Sequence, residues 1–378
     1  MKPLSYGRQV IDAADRAAVD KALRSPWLTQ GPAVAAFEEA LARACGAKYA
    51  VACTNGTAAL HLACLAADLG PGDEAVVPAI TFAATANAAL YCGAEPVIVD
   101  VKPDTITLDP AAFARAVTRR TKAVLPVHFA GLPADMSEIA AIAKKRKLIV
   151  IEDAAHALGA TYKGKRIGAC ERSDMAILSF HPVKHIATGE GGAVLTNDAK
   201  LRDRLRLFRS HGITREPALL DNKNEGGWYY EMQTLGFNYR LTDLQCALGL
   251  SQLKKLGRFL ARRRAIARLY EAAFKDDSRV KLQHRPKDRE HAWHLFTIQV
   301  PAARRRALYD LLHARGILAN VHYIPLHRLP YYARRGWAKK RFPAAEAYYA
   351  GALSLPMHAA LTDAEVRRVI SVVREGLA

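Results

Sequence analysis

The 378-residue sequence predicts an α/β protein: a seven-stranded, mainly parallel sheet, then a smaller α+β domain. Three observations predict it. Seven short apolar segments occupy the first two thirds of the chain, stretches with helical spacing separate several of them, and the pattern changes after about Thr242.

The segments 49–53, 74–78, 96–101, 123–127, 148–151, 175–180 and 193–196 read as strands. The stretches 58–69 and 136–147 between them are rich in Ala or Lys with helical spacing, the alternation of a parallel sheet flanked by helices. The last two strands lie close together across 189–192, so one of them can run antiparallel. Beyond them come a long helical pattern at 244–274, an apolar alternation at 294–300, a helix at 304–315 and a final helix at 363–377, N-capped by Thr362 or Asp363. The expected division is a large domain at 13–243 and a small one at 244–378 that also takes in 1–12. Residues 212–236, with Gly226, Gly227 and Trp228 to Tyr230, read as a mobile loop or an arm reaching a neighbour.

Composition narrows the function. An apolar fraction of 51% is ample for a buried core and argues against disorder. Asp12, Asp15 and Asp20 interrupt any leader-like run, and no stretch approaches the roughly 20 apolar residues of a membrane span. A soluble cytoplasmic protein without a membrane partner is expected. Six scattered cysteines without a C-x-x-C pair read as buried reduced thiols, and no spacing suggests a metal site. The net charge of +19 invites a nucleic-acid reading, but the basic residues fall at spacings of solvated helix faces and no nucleic-acid-binding motif accompanies them. No nucleic-acid partner is expected; part of the charge suits attraction of a polyanionic small substrate such as a nucleotide diphosphate.

Ligands of open parallel sheets bind at the carboxyl ends of the strands, so the residues there carry the chemistry. Thr54-Asn55-Gly56-Thr57-Ala58 closes one strand and opens a helix; Gly56 permits close backbone approach, and the free amides with the Thr57 hydroxyl suit a phosphate, or simply cap the helix. The strand 148–151 runs into Glu152 and Asp153, then His156. A carboxylate there can pair with a protonated ring nitrogen, and Asp153, nearer the mouth of the sheet, is favoured; a plain helix cap is the other reading. Lys184 follows the strand 175–180 by a few residues, between His181 and His185 and before Gly189-Glu190-Gly191-Gly192. Desolvation and neighbouring cations there can lower its pKa, as a Schiff-base amine requires. Ser179 adds a hydroxyl to the phosphate cup.

With these blocks in this order the chain resembles the DegT/StrS-type sugar aminotransferases over essentially its whole length. The matching stretches are WLTQGP at 27–32, TNGTAAL at 54–60, TFAATAN at 81–87, EDAAHALG at 152–159, residues 179–192, GFNYRLTD at 236–243 and SLPMH at 354–358. The resemblance implies fold type I of the pyridoxal-phosphate-dependent transferases, like aspartate aminotransferase, and pyridoxal 5'-phosphate (PLP) as cofactor, with pyridoxamine 5'-phosphate formed in turnover. It implies that Lys184 binds the cofactor covalently and moves the proton, that Asp153 meets the ring nitrogen, His156 the ring oxygen and Phe82 the ring face, and that Thr57, Ala58 and Ser179 hold the phosphate. Asn238 matches a residue that reaches the phosphate of the other subunit, which implies a homodimer with shared active sites.

Within the family the chain looks most like the aminotransferases of the pseudaminic acid pathway, through LFRSHG at 207–212, LGLSQL at 248–253 and GILANVHYIP at 316–325. That likeness implies transfer from L-glutamate to C4 of a UDP-linked 4-keto-6-deoxy-N-acetyl hexose. It marks Tyr6, Pro26, Trp27, Leu28, Thr29, His322, Tyr323 and Ile324 as substrate contacts, with Arg240 either binding the glutamate carboxylate or bracing its loop. Perosamine-, bacillosamine- and 4-amino-arabinose-type aminotransferases are the alternatives within the family. A sugar dehydratase of the same fold, disfavoured by Lys184, or a non-catalytic sensor, which lacks any effector domain here, are the alternatives of another class.

Overall fold

The computed structural model describes residues 3–222 and 224–378. Its centre is a sheet of seven strands, here β1 (Tyr49–Cys53), β2 (Glu74–Pro78), β3 (Glu95–Val99), β4 (Thr121–Val124), β5 (Ile149–Asp153), β6 (Met175–Ser179) and β7 (Gly192–Thr196), in the order β1-β7-β6-β5-β4-β2-β3. The pairs β2/β3, β2/β4, β4/β5 and β5/β6 are parallel, whereas β7 is antiparallel to both β1 and β6. The fold is thus α/β with a mainly parallel sheet, and the closely spaced last pair supplies the reversal. Strands β2 and β7 are buried along their whole length, as the interior of a two-faced sheet demands.

Helices cover both faces. Gly56–Ala66 and Ala83–Tyr91 pack with one side of the sheet in one apolar cluster, and Pro32–Cys45 and Met136–Arg146 with the other side in a second. The expected helix at 58–69 begins two residues earlier, because the Asn55 side chain caps it by accepting from the amide of Ala58 at 2.8 Å.

The pattern at 244–274 is two helices, Asp243–Leu253 and Leu256–Phe274. The break is fixed by distant groups: Gln252 donates to the carbonyl of Val10 (2.9 Å) and to Asp15 (2.8 Å), and Lys255 bonds Asp12 (2.8 Å) and Asp15 (2.5 Å). The first of the two helices packs on Ala13–Leu23 and Pro32–Cys45. The second joins a third apolar cluster with the strands Phe296–Gln299 and Ala352–Leu355, the helix Ala302–Ala314 and the last helix, Asp363–Leu377. A capping box between Thr362 and Glu365 starts that last helix. The N-terminal pair Leu4–Ser5 belongs here too, running parallel to Ile317–Leu318.

Residues 212–236 carry a short ribbon, Ile213–Thr214 against Glu231–Met232, and expose Trp228, Tyr230, Met232 and Leu235. No helix among the described residues is long and apolar enough to cross a membrane. The six cysteines are unpaired, five of them buried.

Candidate active site

A cleft of about 830 Å³ opens where the strand ends meet the C-terminal elements. Its floor comes from the last residues of β5 and β6. Successive residues of a strand face opposite sides, and β5 uses this to separate two carboxylates. Asp153 lines the cleft, while Glu152 accepts on the other side from Ser173 and meets the buried ring of His128 (Nε2 to Oε2 2.7 Å).

Asp153 is held as an acceptor. Thr85 donates to its Oδ2 at 2.7 Å and the amide of Ala155 to its Oδ1 at 3.2 Å. The Thr85 hydroxyl has one proton, so Thr81, 2.7 Å away, donates to Thr85 and completes a buried chain. His156 lies three residues on, with Nε2 3.2 Å from the hydroxyl of Tyr323 and its ring 4.1 Å from that of His294. Burial, and after it the neighbouring cations, push His156 and His294 well below the usual histidine range, so both rings are neutral at pH 7.

Lys184 lines the same cleft, and its amine has no hydrogen-bond or ion-pair partner among the described residues. The residue is half-buried. Desolvation is the largest influence and brings it down to about 8, with Asp153 opposing and Arg263 adding to the shift. At pH 7–8 a useful fraction of this amine is therefore neutral, unlike a surface lysine.

The third part is the N-terminus of Gly56–Ala66. Asn55 takes the Ala58 amide, which leaves the amides of Gly56 and Thr57 without an acceptor among the described residues. A Cβ on Gly56 would stand 2.9 Å from Cβ of Ser179, and one on Gly192 would stand 2.4 Å from the carbonyl oxygen of Asn55. Only glycine at both places lets the helix start seat against β6 and β7, with the Ser179 hydroxyl beside two free amides, a cradle suited to a phosphate.

Of the residues expected at the site, Tyr6, Gly56, Thr57, Ala58, Phe82, Asp153, His156, Ser179, Lys184, His322 and Tyr323 line this one cleft. Phe82 is exposed toward it and tilts against Tyr323 at 6.0 Å between ring centres. His322 is anchored by Ser354 (2.8 Å) and held near 3 by burial and then Lys184. Pro26, Trp27, Leu28, Thr29, Asn238, Arg240 and Ile324 do not line it. Leu28 and Thr29 instead lie against the start of Asp243–Leu253, Asn238 bridges to Ser210, and Trp27 and Ile324 are exposed.

Thr85, His294 and Tyr239 escaped the sequence reading. Thr85 stood inside TFAATAN, four residues after Thr81, and two hydroxyls at that spacing were the available signal. His294 had none: it opens an apolar segment far along the chain from His156.

A sequence profile of the DegT/DnrJ/EryC1/StrS aminotransferase family matches residues 9–374. The spore coat polysaccharide biosynthesis protein SpsC of Bacillus subtilis is 40% identical over 378 residues, 98% of this chain and 96% of that one. The GDP-perosamine synthase of Caulobacter vibrioides is 39% identical over 380 residues, 99% and 98% of the two chains. Among solved structures, Helicobacter pylori PseC, an aminotransferase involved in the biosynthesis of pseudoaminic acid, superposes with a TM-score of 0.92 at 33% identity over 99% of both chains. Spr1654 of Streptococcus pneumoniae in its PLP form gives 0.91 at 30% identity over 100% of both.

Proposed function

Because the chain belongs to the DegT/DnrJ/EryC1/StrS aminotransferase family, we propose that this PLP-dependent sugar aminotransferase moves the amino group of L-glutamate to C4 of a UDP-linked 4-keto-6-deoxy-N-acetyl hexose. The product would be UDP-4-amino-4,6-dideoxy-N-acetyl-β-L-altrosamine of the pseudaminic acid pathway. The fold, that of type I PLP-dependent transferases, and the sugar aminotransferase class follow from the family and its solved members. The whole-length likeness to PseC supports the particular sugar.

The site fits the cofactor. The free amides of Gly56 and Thr57, the hydroxyls of Thr57 and Ser179 and the first turn through Ala58 would hold its phosphate, Phe82 would cover a ring face, and Asp153 would accept from the ring nitrogen. His156 has an unpartnered Nδ1 and would stand near the ring oxygen. When bound, PLP supplies an electron-poor ring that takes up the electron pair left as a proton leaves the amino-bearing carbon. Lys184 is the group that would hold the cofactor covalently, and its Nζ, when free and neutral, would accept the proton from the amino-bearing carbon as general base and return one as general acid. Asp153, fixed by Thr85 and the Ala155 amide, cannot swing away while this happens. The buried neutral imidazoles of His156 and His322 shape the polar wall without adding charge next to Nζ.

Residues Trp27 to Thr29, Asn238 and Arg240 stand outside this chain's cleft yet in family motifs, and the ribbon beside Asn238 exposes apolar side chains. These features support a homodimer in which one protomer completes its partner's site, with Arg240 taking the glutamate carboxylate.

The 39% identity to GDP-perosamine synthase favours a second reading, a GDP-linked keto-sugar. Turnover of UDP-, GDP- and dTDP-linked 4-keto-6-deoxy sugars with L-glutamate, with product stereochemistry read by NMR, tests both. The expected result is a kcat/KM at least about tenfold higher for the UDP-linked N-acetyl sugar, a difference of ~1.4 kcal/mol. A preference for the GDP sugar overturns the first reading in favour of the second.

A further inference from the structure

A second, much smaller cavity is lined by Lys184 and His185 together with Arg8, Gln252, Phe259 and Arg263. Arg263 comes from the helix Leu256–Phe274 and is 2% exposed. Its Nη1 donates to three carbonyl oxygens, those of Trp293 (3.0 Å), His294 (3.2 Å) and Met357 (2.8 Å). Its Nε has no acceptor, and no carboxylate stands within ion-pair distance among the described residues. Burial pulls this guanidinium down only to about 10, so it is a cation at neutral pH. Burying a charge without a counter-ion is costly, and a neutral amide could donate to the same carbonyls. The unbalanced charge is therefore the feature that a purely structural pin leaves unexplained.

We propose that Arg263 is a positioning residue for Lys184: its fixed charge across the shared cavity disfavours a second positive charge on Nζ and so adds to desolvation in favouring the neutral, nucleophilic amine. The proposal rests on Lys184 being the amine that takes the cofactor. Every element around Nζ contributes to the balance. From β5 and the turn after it come Asp153, which favours the charged amine, and neutral His156. His185 on its own loop and His294 on the segment bound by Arg263 are buried and neutral, as is His322 beside Tyr323. Tyr6, His181 and Glu190 face the large cleft, and Arg8 shares the small cavity. Among these groups Asp153 stabilises the protonated amine, and the buried charge of Arg263 opposes it.

The test measures Lys184 itself. The full-length chain freed of PLP is labelled with trinitrobenzenesulfonate from pH 6 to 11, and modification of Lys184 is read by peptide mass spectrometry. The native midpoint is expected near 8. Arg263→Gln should raise it by about one pH unit, roughly tenfold less neutral amine at pH 7.5, while Arg263→Lys, which retains the charge, stays within a few tenths of a unit of native. Arg263→Met, which keeps the packing of the stem, gives the same reading should the Gln variant fail to fold. A folded neutral variant with the native midpoint overturns the proposal, as does a native midpoint at the ordinary lysine value of 10.5. A structural pin alone would lower Tm and leave the midpoint in place. Labelling needs no turnover, so this result is independent of whether the chain transaminates the proposed sugar.

Discussion

Asp153, His156, Ser179 and Lys184 stand at or just past the ends of β5 and β6, within a wall that the same chain builds and closes. Trp27, Leu28, Asn238 and Arg240, by contrast, lie on connecting segments outside the cleft, near a ribbon whose Trp228 and Leu235 are about three-quarters exposed. The inner group is held by short, buried hydrogen bonds such as Thr85 to Asp153. The outer group is tied to its own chain by backbone contacts, such as Leu28 to Asp243 and Asn238 to Ser210, while Trp27 and Leu28 remain exposed. On the proposed reading, the chemistry would belong to one protomer, whereas the rim that would select and enclose the substrate would need a second surface, as exposed apolar patches often supply.

Three experiments press on that contrast. Lys184→Ala strikes the inner wall at its reactive atom, and activity is expected to fall on the order of 10³-fold or more, with loss of the visible absorbance of the PLP-loaded protein. Retention of both would remove Lys184 from its role. Asn238→Ala strikes the rim, and PLP affinity, followed by fluorescence titration, is expected to drop about tenfold. At PLP concentrations too low to load Asn238→Ala well, mixing that variant with Lys184→Ala chains should then give activity above either parent, because a mixed dimer carries one intact pair of Lys184 and Asn238; no gain on mixing would place both residues in the same protomer's site. Thr85→Val is the mildest, removing one donor from Asp153, and should cost about 1 kcal/mol of transition-state stabilisation, a five- to tenfold lower kcat, with the dimer unaffected.

The same contrast governs what could be read from residues alone. Strand positions were legible because apolar runs of about five residues, set between helical patterns, are too short to be helices themselves, and strand ends in an open sheet locate a cleft before any coordinate is known. Asp153 could be preferred to Glu152 by its place in the strand, and alternation of side chains does separate them, one into the cleft and one against His128. Thr85 and Arg263 were not legible as partners of Asp153 and Lys184. Each pair is joined only by the packing of elements about 70 or 80 residues apart, and no local pattern records that. The break at Lys254 and Lys255 was hidden for a similar reason: the apolar spacing continues through it, and the groups that fix it, Asp12 and Asp15, sit near the other end of the chain.

The pairing of Leu4–Ser5 with Ile317–Leu318 also sets an order of events during synthesis. The carbonyl of Tyr6, a residue of the cleft wall, accepts from the amide of Met357 at 2.9 Å. A ribosome adds on the order of 5–20 residues each second, so β1 to β7 can assemble while the remainder is still being made. Tyr6 leaves the ribosome long before Met357 and cannot take its place until that residue has emerged. The wall of the cleft is therefore joined by two segments far apart in the chain, and a nascent protein cut short before Met357 would hold a sheet but no finished cleft.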